Sequence, residues 1–108
     1  MLENLPTSTV FTLADAVSCR KFQMCSRSLC STPGADITML AFDQGTKIWT
    51  HAAPGDAIST ILEGEAEITI SGTTYTVRAD ESIVMPAGEP HSLRAVTIFK
   101  MLLVLVKN

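Results

Sequence analysis

Residues Glu65 to Arg78 read EAEITISGTTYTVR. Ala66, Ile68 and Ile70 fall on one side of an extended chain, and Glu65, Glu67 and Thr69 on the other. This is the period-2 pattern of a strand with one buried face. Ser71-Gly72 supplies a two-residue hairpin turn. Beyond it, Tyr75 and Val77 alternate with Thr74, Thr76 and Arg78. A helix cannot use such a pattern, because its apolar positions recur every three or four residues. The stretch is therefore predicted to be a β-hairpin.

The same signal extends in both directions. Upstream, short apolar runs are punctuated by Pro33-Gly34, Gln44-Gly45, Pro54-Gly55 and Glu63-Gly64, each a turn marker. Downstream come SIVMP, PHSLRA and the run AVTIFKMLLVLV, which ends at Val106. No window sustains a helical period over three turns. About nine strands at roughly 8–12-residue spacing predict an all-β sandwich or barrel, with closure favoured because it removes free edges.

Residues 1–20 lack this regularity, apart from Leu13–Ser18, which suits a single helical turn. They are predicted to form an N-terminal arm lying on the domain or on a neighbouring subunit, with residues 21–108 as one barrel domain. In the last strand Met101, Leu103 and Leu105 oppose Leu102, Val104 and Val106. A strand apolar on both faces is buried on both, and a homodimer is the expectation that follows.

Composition removes several classes. The chain has 108 residues, a net charge of −3 and a pI near 5.2, and its closest basic pair is Arg20-Lys21. Nucleic acid is not expected as a partner, since a phosphate backbone requires a basic patch. Lys100 interrupts the longest apolar run, which is shorter than the roughly 20 residues that span a bilayer. The opening residues carry Glu3 and no basic region before an apolar core, so no signal peptide is read and a cytoplasmic location is expected. Cys19, Cys25 and Cys30 are odd in number and lack the C-x2-C pairs of a structural zinc site. They are read as buried free thiols.

The chain carries only two histidines, His51 in HAAPGDA and His91 in PAGEPH. Gly45, His51 and Gly64 fit the pattern G-x5-H-x-H-x3,4-E-x6-G, and Pro86, Gly88 and His91 fit G-x5-P-x-G-x2-H-x3-N. On these residues the sequence resembles a small single-domain cupin. The resemblance implies a double-stranded β-helix, or jelly-roll barrel. In metal-binding cupins, three histidines and a glutamate converge on one ion inside the barrel. Carried over position by position, those places hold His51, Ala53, Ala57 and His91. Asp80 and Ala95 replace the leading glycine and closing asparagine of the second motif.

Two imidazoles fall short of the three protein ligands of a catalytic zinc site or of the facial iron triad. Asp56 is the nearest candidate for a third ligand. Alternation with Ala57 points it outward unless Pro54-Gly55 carries a bulge that turns it in. Alternation also predicts the pocket walls. Trp49 and Lys47 share the face of His51, Ser59 and Ile61 that of Ala57, and Leu93 that of His91. Ala53, Met85 and Met101 join them, with Met39 or Leu40 completing the lining.

The expected function is small-molecule binding with a reduced or absent metal site, Trp49 offering a stacking platform. The alternative is a metal-dependent enzyme of dioxygenase, sugar-isomerase or lyase type. There His51, His91 and a non-standard third ligand would hold iron, manganese, nickel or zinc. A metal-free isomerase using the histidines as acid and base is a weaker third reading.

Overall fold

The computed structural model describes residues 1–107. Nine strands follow one 3₁₀ turn, Leu13–Ala16. They are β1 (Met24–Ser31), β2 (Ala35–Phe42), β3 (Lys47–His51), β4 (Asp56–Glu63), β5 (Glu65–Ile70), β6 (Thr73–Arg78), β7 (Ser82–Met85), β8 (His91–Ala95) and β9 (Phe99–Val106). They form two antiparallel sheets, ordered β1-β2-β9-β4-β7 and β3-β8-β5-β6, and face each other as a jelly-roll barrel. No helix is long and apolar enough to cross a membrane among the described residues.

The hairpin forms as its sequence predicts. Ile70 pairs with Thr73 across a two-residue loop, and Ser71 (φ 47°) and Gly72 (φ 87°) both adopt the left-handed conformation that a type I′ turn requires. Gly64 links β4 to β5 at φ 82°. A side chain there would meet the Ile98 carbonyl, so glycine serves both the conformation and the close approach.

Alternation sorts the residues between two cores. Phe42, Ile61, Ile68, Phe99 and Met101 are buried between the sheets, where Phe42 and Phe99 stack with ring centroids 4.4 Å apart. A second cluster lies on the outer face of the five-stranded sheet. There Val17 of the arm covers Leu29, Met39 and Ala41, with Leu13 and Leu102 packed alongside. Lys100 donates to the Ala14 carbonyl at 2.7 Å, and the Glu3 amide donates to Leu29 at 2.8 Å. The outward face of β9 is thus partly covered by the chain's own arm, while Val106 remains exposed.

Candidate functional site

The two histidines meet at one end of the barrel. β3 pairs with β8 so that Ile48 opposes Leu93 and His51 opposes His91, with a register shift between the two pairs. Their Nε2 atoms stand 3.1 Å apart, and the rings meet edge to face at a centroid distance of 4.3 Å. His91 is buried, whereas His51 is exposed. Forty residues of sequence separation are closed by a single cross-strand pair.

The second ring nitrogens define the protonation pattern. His51 Nδ1 lies 3.0 Å from the Trp49 carbonyl and His91 Nδ1 lies 3.3 Å from the Glu89 carbonyl. A carbonyl oxygen only accepts, so both contacts call for Nδ1–H. Two such tautomers would leave bare Nε2 lone pairs facing each other. A neutral pair therefore keeps only one of the two carbonyl contacts, the other ring carrying its proton on Nε2 and donating across the 3.1 Å contact. Burial first, and the neighbouring His51 second, hold His91 below its ordinary value of 6.5, which favours this neutral pair. Acid would add a second proton and make the pair an imidazole–imidazolium.

The remaining positions of the resemblance carry no donor. Ala57 is buried opposite Met85 and Leu105, and Ala53 is half-buried with its carbonyl accepting from Gly88 at 3.0 Å. Asp56 stays outside. It is exposed, it opposes Val106 in unbroken register with Ala57, and its Oδ1 accepts the Ala87 amide at 2.8 Å. The Pro54-Gly55 bulge needed to turn it inward does not form, so Asp56 fastens a loop and faces away from the histidines. No cluster of three or more His, Cys, Asp or Glu suited to a metal ion exists among the described residues. The donor set is two imidazoles, which does not fit a resident ion needing three protein ligands.

The walls follow alternation on β4 and β8 and depart from it on β3. Ala57, Ile61, Met85, Leu93 and Met101 are buried in the inter-sheet core. Leu40 faces that core too, while Met39 points out beneath the arm. Trp49 does not line the pocket. It is 79% exposed on the outer face of the four-stranded sheet, beside Lys47, Glu67 and Arg94. The cause is the irregularity between Ile48 and His51: both side chains face inward three residues apart, so counting in twos from His51 assigns Trp49 and Lys47 to the wrong side.

Ser59 lies where alternation places it, fully buried, and its hydroxyl has no hydrogen-bond partner among the described residues. Between the edges of β6 and β7 opens a hollow of about 280 Å³ lined by Ile70, Tyr75, Ile83, Val84, Pro86 and Glu89. One of its lining residues, Ile70, opposes His91 in the β5–β8 ladder, while neither histidine lines the hollow itself.

Comparison with known proteins agrees with this geometry. A family model described as "Cupin domain" matches residues 38–106. A conserved protein of unknown function from Streptococcus pyogenes is 46% identical, with a TM-score of 0.96 over 99% of this chain and 94% of its own. A cupin superfamily protein from Desulfitobacterium hafniense is 27% identical, also with a TM-score of 0.96, over 100% of this chain and 99% of its own. A salicylate 1,2-dioxygenase from Pseudoaminobacter salicylatoxidans shares the fold at 19% identity and a TM-score of 0.72, over 77% of this chain and 25% of its own. No curated protein matches the chain significantly. A barrel of this topology, with both motifs placed at one end and a family model spanning most of its strands, makes the chain a member of the cupin family.

Proposed function

We propose that this cupin binds a small organic acid at the barrel end, through a histidine pair in place of a resident metal. The observation that carries the proposal is the direct Nε2–Nε2 contact of His51 and His91 at 3.1 Å, with alanine at the two other ligand positions. Such a pair takes up a proton when an anion arrives, and the imidazolium then balances the carboxylate. The buried Ser59 hydroxyl offers a further hydrogen bond among apolar walls. The hollow of about 280 Å³ is near the lower end of small-molecule sites and suits a compact ligand. A homodimer and a cytoplasmic location belong to the same proposal, and exposed Phe11, Phe22 and Met24 support the former.

One observation favours a metal-dependent reading. Imidazole nitrogens about 2.1 Å from one divalent ion stand roughly 3.0–3.4 Å apart, and the pair falls in that range. Iron, manganese, nickel or zinc held by His51 and His91 would need its other ligands from solvent or substrate.

The deciding experiment is elemental mass spectrometry on protein purified without a chelating tag, then chelated and reloaded. It is paired with thermal-shift titration of small carboxylates in chelator. Metal-free protein stabilised by a carboxylate, with the effect lost in His51→Ala and His91→Ala, is the expected outcome. One tightly held ion per chain, lost in either variant, would replace the proposal with the metal-dependent reading.

A further inference from the structure

The geometry points to Cys19 and Cys25 as a dithiol that a hydroperoxide converts to an internal disulfide, fastening the N-terminal arm to β1. The arm reaches β1 through a tight turn in which the Gln23 amide donates to Arg20 at 3.1 Å. Phe22 sits in this turn at φ 64°, its amide held by Asp43 Oδ2 at 2.5 Å. The turn folds Cys19, the residue before it, back onto the start of β1: its thiol lies 2.6 Å from the Gln23 carbonyl, two residues before Cys25, and both cysteines pack against the same apolar cluster. Both thiols are half-buried at the margin of the apolar cluster that joins arm to sheet.

Access and selectivity favour this pair. A hollow of about 370 Å³, lined by Val17, Ser18, Cys25 and Arg27 among others, opens beside Cys25 and admits a small oxidant. Cys30 opposes Ile37 while Cys25 opposes Ala41, which separates the two by most of β1. That separation is roughly 16 Å at strand rise, well beyond the reach of a disulfide.

The chemistry balances with a hydroperoxide as the oxidant. The Cys25 thiolate attacks the peroxide oxygen and the O–O bond breaks. Cys25 becomes a sulfenic acid, and the departing oxygen leaves as water after taking a proton. The Cys19 sulfur then displaces the sulfenic oxygen, which leaves as a second water with the Cys19 proton. In sum, two thiols lose two electrons and two protons to one hydrogen peroxide. Cys25, which lines the hollow, meets the oxidant first and leaves Cys19 the resolving role; burial chiefly, and then Cys25, raise the Cys19 thiol above its ordinary value.

The test treats reduced full-length protein with hydrogen peroxide, alkylates it and digests it with trypsin. Arg20, Lys21 and Arg27 place the three cysteines on separate peptides. The expected product is a monomer in which the peptide ending at Arg20 is joined to Phe22–Arg27, with Cys30 alkylated and dithiothreitol reversing the link. Cys30→Ser should form the same link. Amide hydrogen exchange at residues 13–18 should slow in the oxidised protein. Alkylation of both Cys19 and Cys25 after oxidation, a link involving Cys30, or irreversible over-oxidation would overturn the proposal. Unchanged exchange in the arm would overturn its fastening.

Discussion

Gly45 and Gly64, the two glycines of the first motif, allow backbone strain to be separated from steric clash. Their φ values are nearly identical, 84° and 82°. A Cβ on Gly45 meets nothing within 4 Å. On Gly64 it would overlap the Ile98 carbonyl oxygen and lie 2.8 Å from both Phe99 Cβ and Thr97 Oγ1. Those neighbours cannot easily yield: Phe99 is fully buried against Phe42, and Thr97 Oγ1 accepts the Glu65 amide at 3.0 Å. Gly45→Ala should cost about 1–2 kcal/mol, the left-handed penalty alone. Gly64→Ala should cost that amount plus about 1–3 kcal/mol for forcing an atom into packed structure. Urea unfolding of both variants measures the difference directly, provided the slopes match. Equal losses would refute the claim that close approach, beyond turn conformation, requires glycine at position 64.

Other expectations concern the site. Because His91 is held below 6.5, its contribution to stability is complete above that value and is lost as the pH falls towards its folded-state pKa. The urea midpoint should therefore drop between pH 7.5 and 5, and His91→Gln should flatten the drop; a wild-type midpoint indifferent to pH would contradict the burial argument. Asp56→Ala removes the acceptor for the Ala87 amide and should cost about 1 kcal/mol, with metal content unchanged. A change in metal content would return Asp56 to the site. Trp49→Ala should stay within about 0.5 kcal/mol of wild type. Trp49 emission should shift little on unfolding, since the ring is already 79% exposed; a large red shift would show that it is buried in solution.

Much of the fold is legible because turns are marked and strands alternate. Ser71-Gly72 and Gly64 each encode a backbone conformation that side-chain-bearing residues resist, so their positions fix the strand ends. Interior faces of β4 and β8 can be counted in twos because their pairing is regular there. β3 shows where counting fails. The shift between Ile48 and His51 leaves no compositional mark, and one extra residue sends Trp49 outside. Asp56 fails for the opposite reason: a Pro-Gly pair suggests a bulge, yet the strand begins in plain register. The meeting of two imidazoles is anticipated by the motif positions, whereas their tautomers depend on the Trp49 and Glu89 carbonyls, which only the folded chain brings into place.

The position of β9 has a consequence for how the molecule is made. It is the last of the nine strands among the described residues, yet it lies in the middle of the five-stranded sheet, paired with β2 on one side and β4 on the other. Synthesis delivers β1, β2, β4 and β7 first, as two halves with a gap between them. Until residues 99–106 emerge, β2 and β4 each present an unpaired edge, and Phe42 lacks its stacking partner. Vectorial synthesis therefore cannot build this sheet stepwise; it closes in one late event, after long-range contacts become available. The nascent chain is most vulnerable to edge-to-edge aggregation just before that closure.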